Sequence, residues 1–257
     1  MDLGLKGKVA VVTGGSTGIG FASAMELAKE GCVVAICGRS EKKLAAAKEE
    51  FEKNGLSVDT YVVDVTDEGE IKTFVKAIAD KYGRIDIWYN NAGTNVTGHI
   101  VDYSTENWDM VFNTNVRSTF IAIREVGNLM KKTGGVIINT SSFAAVIPSA
   151  GSAAYAASKM GVDALTRVAA AELAPYGVRV IGIVPGVIET PLTMRGDGNF
   201  LSAQRMQDIV MDRFGKPEEV AKAVAFAASD AAAYITGVNF EISGGKFCVQ
   251  HKVEQKA

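Results

Sequence analysis

Short apolar segments rich in β-branched residues alternate along the chain with longer segments in which apolar residues recur every three or four positions. The short runs are typical of strands buried on both faces of a sheet, and the longer period is typical of helices. Strands are predicted at Val9–Thr13, Val33–Cys37, Val58–Val63, Ile85–Tyr89, Gly135–Thr140, Val178–Val184 and Val238–Ile242. Helices are predicted at Ile19–Glu30, Glu41–Asn54, Asp67–Tyr82, Thr105–Lys131, Ser152–Tyr176 and Glu218–Ser229. Repeated strand–helix units imply a parallel sheet, so the pattern predicts a doubly wound α/β fold.

The composition of the 257-residue chain is that of an ordinary globular protein, with 47% hydrophobic and 22% charged residues. Because single α/β domains commonly reach this length, we expect one domain spanning residues 1–257. The net charge of −2 provides no global basic field, which disfavours a nucleic-acid partner. An uncharged stretch at 133–158 is interrupted by glycine, asparagine and proline, so no membrane span is predicted.

The cysteines and the start of the chain point to a reducing compartment. Cys32, Cys37 and Cys248 form no C-x-x-C pair, and no apolar run follows a basic N-terminus as it would in a signal peptide. A cytoplasmic location is therefore predicted. His99 and His251 have no partner ligands at a useful spacing, so no metal site is expected.

The first predicted strand runs into a glycine-rich turn, Gly14-Gly15-Ser16-Thr17-Gly18-Ile19-Gly20, which leads into the first helix. Glycines let a backbone approach a ligand closely, and a helix start offers free N–H groups and the positive end of its dipole. The arrangement predicts a diphosphate site for a dinucleotide. A plain tight turn is the alternative interpretation.

The end of the second strand decides which dinucleotide is favoured. An NAD site places an acidic side chain there for the ribose 2′-hydroxyl, whereas this chain has Gly38-Arg39-Ser40. Arg39 can fork onto a 2′-phosphate, and Ser40, Lys42 and Lys43 add positive or donor character nearby. NADP(H) is therefore predicted as the cofactor, with a merely solvated Arg39 as the alternative.

Two further segments follow strand ends, where ligands of such sheets bind. Asp64 follows the third strand and is predicted either to bind the adenine amino group or to cap the helix beginning at Asp67. The segment Asn90-Asn91-Ala92-Gly93 follows the fourth strand and is predicted to border the cofactor.

Tyr155 and Lys159 lie four positions apart at the start of a predicted helix, which puts them on one face. Lowering the pKa of a tyrosine by about three units from about 10 requires about 4 kcal/mol. An ammonium about 4 Å away supplies about that much at an effective dielectric constant of about 20. The pair is therefore predicted to make Tyr155 a usable proton donor and acceptor, although such a pair without other signals is usually an accident or a surface contact.

Two polar positions accompany this pair. Ser142 ends the fifth strand, and its hydroxyl is predicted to bind the substrate oxygen, because strand alternation points the competing Ser141 to the opposite side. Asn115 lies within a predicted helix, where asparagine is a mediocre helix former. It is expected to serve a water or a backbone kink, or to form a hydrogen bond between helices.

Taken together, these motifs resemble those of the short-chain dehydrogenase/reductase family. The matching segments are Thr13 to Gly20, Asn90 to Gly93, Asn115, Ser142, Tyr155 with Lys159, and Pro185-Gly186. The resemblance implies a seven-stranded Rossmann sheet in the order 3-2-1-4-5-6-7 with helices on both faces. It also implies a catalytic tetrad of Asn115, Ser142, Tyr155 and Lys159, in which Asn115 holds a water linked to Lys159.

The predicted contacts with the cofactor extend along the whole row of strand ends. They are Gly14, Ser16, Thr17, Gly18, Ile19, Gly20, Arg39, Ser40, Asp64, Val65, Asn91, Ala92, Gly93, Tyr155, Lys159, Pro185, Gly186, Ile188 and Thr190. Many NADP-dependent members of the family carry a basic residue in the glycine turn, where this chain has Thr17. NAD(H) therefore remains the alternative cofactor.

The resemblance implies an oxidoreductase that interconverts a secondary alcohol and a ketone by hydride transfer. Residues 188–213 match a substrate lid in the family, and its apolar residues, such as Leu192, Met194 and Phe200, favour an apolar substrate. Candidates are a steroid or bile-acid ketone, a 3-oxoacyl thioester or a small cyclic ketone. A homotetramer is also implied, with the helices Thr105–Lys131 and Ser152–Tyr176 pairing across one interface.

Two other functions compete with this one. The first is a noncatalytic NADP-binding sensor or scaffold on the same fold, since fold alone does not give function. The second is an epimerase or dehydratase similar to longer-chain relatives, which carry a larger C-terminal substrate domain. NADPH oxidation with a panel of ketones discriminates between catalysis and mere binding.

Overall fold

The computed structural model describes residues 2–194, 206 and 208–246, in which strands and helices alternate. The strands are β1 (Val9–Thr13), β2 (Val33–Gly38), β3 (Asp59–Val62), β4 (Ile87–Asn90), β5 (Gly135–Thr140), β6 (Val178–Pro185) and β7 (Asn239–Ile242). The helices are α1 (Gly18–Lys29), α2 (Glu41–Lys53), α3 (Glu68–Tyr82), α4 (Thr105–Phe112), α5 (Ser118–Met130), α6 (Ala153–Leu173) and α7 (Pro217–Ala228). All strand pairs are parallel, in the order β3-β2-β1-β4-β5-β6-β7. The predicted doubly wound Rossmann fold is confirmed.

The sheet is buried on both faces. Along β1, Val9 and Val11 belong to one apolar cluster, whereas Ala10 and Val12 belong to another. Such alternation follows from the two-residue period of a strand, and it explains why the central strands are continuous apolar runs. The order β3-β2-β1-β4-β5 reverses direction between β1 and β4, and ligands of such sheets bind beyond the strand ends at this point.

The helix predicted from Thr105 to Lys131 contains a break in its regular period. Between α4 and α5 the backbone forms a π-helical turn at Asn113–Arg117. Thr114 and Asn115 are buried in this turn, while Asn113 is exposed. The turn is the backbone irregularity that was one of the predicted explanations for Asn115, and π turns of this kind frequently occur at functional sites.

Only part of the predicted lid at 188–213 falls within the described residues. Ile188 pairs with Gly215 in an isolated bridge, and Thr193 Oγ donates to the Ile188 carbonyl over 2.6 Å. Leu192 and Met194 follow with 36% and 62% of their surface exposed. Phe200, which is also assigned to the lid, lies outside the described residues, as does the remainder of 195–205 together with residue 207.

Candidate active site

A cleft of about 440 Å³ lies at the carboxyl ends of the strands in the described part of the chain. Its size is typical of a site for a small molecule or cofactor. Nearly all of the predicted cofactor contacts line it: Gly14, Ser16, Thr17, Gly18, Ile19, Arg39, Ser40, Asp64, Val65, Asn91, Ala92, Gly93, Tyr155, Lys159, Pro185, Gly186, Ile188 and Thr190. Ser142 also lines the cleft, whereas Gly20 and Asn115 lie behind its wall.

The glycine turn at the first strand end is shaped by close backbone packing. Gly14 has a φ of +64°, and an added Cβ would lie 2.9 Å from the Ala92 Cα. A Cβ on Gly20 would lie 2.3 Å from Asn91 Nδ2 and 2.4 Å from the Gly14 oxygen. Gly20 therefore serves the cleft indirectly, because its missing side chain lets α1 start directly beneath the turn.

Asn91 joins this turn to the end of β4. Its side-chain amide donates to the carbonyl oxygens of Thr13 and Gly14 over 3.0 and 3.2 Å, and its backbone N–H donates to Thr13 Oγ over 3.0 Å. These bonds fix the two strand ends relative to each other. Asn91 thus has a structural role in addition to its place on the cleft wall.

The start of α1 suits a diphosphate. The N-cap residue, Thr17, makes no side-chain capping bond, and the first helical bond runs from the Phe21 N–H to the Thr17 carbonyl. The N–H groups of Gly18, Ile19 and Gly20 consequently lack helical acceptors, at the positive end of the helix dipole. The turn and the helix start therefore fit the phosphate groups of a dinucleotide.

Beyond β2 and β3, the cleft wall contains Arg39, Ser40 and Asp64. The Asp64 carboxylate accepts from the N–H and hydroxyl of Thr66 over 2.9 and 2.8 Å. The N-cap of α3 is Asp67, whose carboxylate accepts from the Glu70 N–H over 2.9 Å. The alternative role of Asp64 as the cap of this helix is therefore wrong, while its place on the cleft wall agrees with an adenine contact.

The Tyr155 and Lys159 side chains lie together at the start of α6. Lys159 Nζ is 5.7 Å from the centre of the Tyr155 ring and donates to the Thr140 carbonyl over 2.7 Å. The Lys159 side chain is buried, with 3% of its surface exposed. Thr140, at the end of β5, thereby positions the ammonium, a role that sequence reasoning missed because any residue supplies the same backbone oxygen.

The two serines after β5 point to different surroundings, as strand alternation predicts. The Ser142 hydroxyl accepts from the Ala144 N–H over 3.2 Å and lies near enough to Tyr155 to lower the pKa of its phenol. The Ser141 hydroxyl lies 3.5 Å from the Lys159 carbonyl, against the backbone of α6. Ser142 is therefore the serine that is placed to act together with Tyr155.

The pKa of Tyr155 differs from the sequence-based expectation. Burial raises the pKa of the Tyr155 phenol above its usual value, and the nearby Ser142 hydroxyl offsets only part of that rise. Burial lowers the pKa of the Lys159 ammonium to about 8, although the Asp163 carboxylate favours its charged form. Burial and the Ser142 hydroxyl are the causes of the shift in the Tyr155 pKa, and the Lys159 ammonium is directed at the Thr140 carbonyl. At neutral pH the site holds a neutral phenol beside a mostly charged amine.

Asn115 is held by hydrogen bonds on both sides. Its Oδ1 accepts from the Thr94 N–H over 2.8 Å, and its Nδ2 donates to the Thr94 carbonyl over 3.0 Å. The same Nδ2 donates to Ser158 Oγ over 2.9 Å, and Ser158 Oγ donates to the Tyr155 carbonyl over 2.7 Å. The predicted helix–helix hydrogen bond is therefore observed in addition to the π-helical turn described above. Thr94 and Ser158 carry no sequence signal for their part in it.

Two other kinds of site are absent from the described ranges. No group of three or more histidine, cysteine, aspartate or glutamate side chains is arranged there to hold a metal ion. None of the helices in those ranges combines the length and apolar character that a membrane crossing requires.

A dinucleotide cleft with a serine, a tyrosine and a lysine at one end defines the chain as an NAD(P)-dependent oxidoreductase. Over residues 14–246 it matches the family described as Enoyl-(Acyl carrier protein) reductase. It is 39% identical to the 3-oxoacyl-[acyl-carrier-protein] reductase FabG of Thermotoga maritima, with 94% of this chain and 98% of that relative covered. It is 36% identical to the corresponding FabG of Staphylococcus aureus, with 93% and 98% covered.

A solved structure is also similar. The crystal structure of a short-chain type dehydrogenase/reductase from Mycobacterium marinum superimposes with a TM-score of 0.91 at 32% identity, covering 95% of this chain and 97% of that one. The chain belongs to the short-chain dehydrogenase/reductase family.

Proposed function

We propose that this protein uses NADPH to reduce the ketone of an apolar substrate to a secondary alcohol. The observation that carries the proposal is that Ser142, Tyr155 and the buried Lys159 line the same cleft, with the Lys159 ammonium 5.7 Å from the centre of the Tyr155 ring. A raised pKa keeps Tyr155 protonated at neutral pH, which is the form that can donate a proton to the substrate oxygen.

Each polar group at this end of the cleft has a separate task. A bound nicotinamide dinucleotide supplies the hydride. Tyr155 Oη gives its proton to the substrate oxygen as negative charge develops there, and the Ser142 hydroxyl hydrogen-bonds to the same oxygen. The Lys159 ammonium, held by the Thr140 carbonyl, provides the positive charge that favours the ionised form of Tyr155 after donation.

The preference for NADPH over NADH rests on the end of β2. Arg39 lines the cleft there, and neither of its neighbours, Gly38 and Ser40, is acidic. A charge-assisted contact with the 2′-phosphate contributes about 1.5–3 kcal/mol, or about one to two decades of preference. The test is kcat/KM for NADPH and NADH, in the parent protein and in Arg39→Ala. A parent protein that favours NADH would refute the assignment.

The substrate class is proposed as a 3-oxoacyl thioester or a related apolar ketone. Leu192 and Met194 leave apolar surface exposed in the segment that follows the cleft residue Ile188. Two similar relatives are named 3-oxoacyl-[acyl-carrier-protein] reductases, and their names indicate 3-oxoacyl thioesters as substrates. A panel of 3-oxoacyl thioesters, steroid ketones and small cyclic ketones, followed by NADPH absorbance, tests the proposal. Activity confined to polyols or sugars would contradict it.

Assembly into a homotetramer is also proposed. Helices α5 and α6 leave large apolar side chains at their surface, with Phe120, Met160 and Val168 between 47% and 57% exposed. Apolar patches of this kind mark association surfaces. Light scattering at micromolar concentration is expected to give the mass of four chains, and a monomer mass would contradict the proposal.

We further propose a cytoplasmic location, since Cys32 and Cys37 are buried and unpaired.

A further inference from the structure

The described walls of the cleft contain few cations, and they are unevenly placed. Arg39, Lys43 and Lys159 are the lysine and arginine residues among them. Lys159 belongs to α6 and donates to the Thr140 carbonyl at the end of β5, which lies on the far side of β1 and β4 from the other two. The glycine turn at 14–20 contributes N–H groups and hydroxyls but no cation. Positive charge near the ribose of the adenosine must therefore come from β2 and α2.

Lys43 is placed to supply part of that charge. It is the third residue of α2, whose N-cap Ser40 accepts from the Lys43 N–H over 3.4 Å. Its neighbour Lys42 has the same charge, the same helix and an exposed side chain, but only Lys43 lines the cleft. The sequence indicates both lysines as possible contacts of the cofactor, whereas in the structure only Lys43 lies on the cleft wall.

The position of Lys43 is unfavourable for the helix by itself. A cation in the first turn of a helix lies at the positive end of the helix dipole. Among the described residues, neither Lys43 nor Arg39 forms an ion pair with an aspartate or a glutamate. A bound anion would satisfy both cations together with the N–H groups at the start of α2.

We propose that Lys43 is a second cation for the cofactor 2′-phosphate and thereby a residue that determines NADP specificity. The inference rests on the NADPH preference proposed above. A phosphate monoester carries a charge of about −1.5 to −2 at pH 7, which Arg39 alone does not balance. Lys43 contributes point-charge attraction, while Arg39 contributes the forked hydrogen bonds.

Direct binding of two nucleotides tests this role without reference to turnover. Adenosine 2′,5′-bisphosphate and adenosine 5′-monophosphate are titrated calorimetrically into the parent protein, Lys43→Gln and the matched control Lys42→Gln, at one low salt concentration. We expect Lys43→Gln to weaken bisphosphate binding about ten-fold and to leave monophosphate binding within about two-fold. Lys42→Gln is expected to leave both within about two-fold of the parent protein.

The outcomes separate this inference from the cofactor preference on which it rests. If the parent protein prefers the bisphosphate but Lys43→Gln binds it as the parent does, the role of Lys43 is overturned and the NADPH preference stands. If Lys42→Gln and Lys43→Gln weaken bisphosphate binding equally, the specific role of Lys43 is overturned as well. Equal losses would mean that the general positive charge of α2, and not the position of Lys43, attracts the phosphate. A parent protein that binds both nucleotides equally overturns the preference and this inference together. Both lysines are exposed, so folding is not expected to change in either variant.

Discussion

Replacing Asn115 by alanine tests whether this residue holds the site together. The substitution removes three hydrogen bonds from a side chain that is 1% exposed: two with Thr94 and one with Ser158. At about 1 kcal/mol for each bond, the free energy of unfolding should fall by about 3 kcal/mol. For a chain of this length, that loss corresponds to a Tm lower by about 6–12 °C. Differential scanning calorimetry measures the change.

The neighbouring Asn113 provides a matched control. It is the same residue type in the same π-helical turn, but its side chain is exposed. Asn113→Ala should change Tm by no more than about 2 °C, since exposed substitutions usually cost under about 0.5 kcal/mol. If Asn115→Ala unfolds at the same temperature as Asn113→Ala, the three hydrogen bonds do not stabilise the fold. The proposed role of Asn115 in joining Thr94, after β4, to Ser158, in α6, would then be wrong.

Two further predictions concern the glycine turn and the pH dependence of catalysis. Gly20→Ala places a methyl group against Asn91 Nδ2 and the Gly14 oxygen, so stability should fall by about 1–3 kcal/mol. Gly161→Ala, whose nearest contact would be an ordinary 3.4 Å, should not destabilise, and equal Tm values for the two variants would contradict the packing argument. Because burial lowers the pKa of Lys159 to about 8, its charge is present below that pH and lost above it. The kcat/KM for ketone reduction should therefore decline as pH rises through about 8, and a constant value up to pH 10 would exclude this role of the Lys159 charge.

Much of the fold could be predicted from the sequence because its strands are buried on both faces. The apolar runs at the seven predicted strands coincide with the seven strands of the sheet. The differences lie at strand ends, where β4 begins at Ile87 rather than Ile85 and β3 begins at Asp59 rather than Val58. The residue at which a strand begins depends on its pairing with neighbouring strands, and the pattern of apolar residues along the sequence carries no information about that pairing.

The residue types of the site were predictable, but their bonding was not. Tyr155 and Lys159 were placed on one face by helical spacing alone, and the structure brings them together. The direction of the Lys159 ammonium depends on the Thr140 carbonyl, and backbone oxygens are present at every position. The π-helical turn that buries Asn115 likewise departs from the helical period on which the prediction relied.

The account depends most on Tyr155 as the proton donor, and Tyr155→Phe tests it most directly. The substitution removes the Tyr155 hydroxyl but keeps the ring beside Lys159. NADPH binding, measured by fluorescence titration, should remain within about two-fold, while kcat for ketone reduction should fall by about 100-fold or more. Turnover within about ten-fold of the parent protein, with NADPH bound normally, would contradict the assignment of Tyr155 as the proton donor.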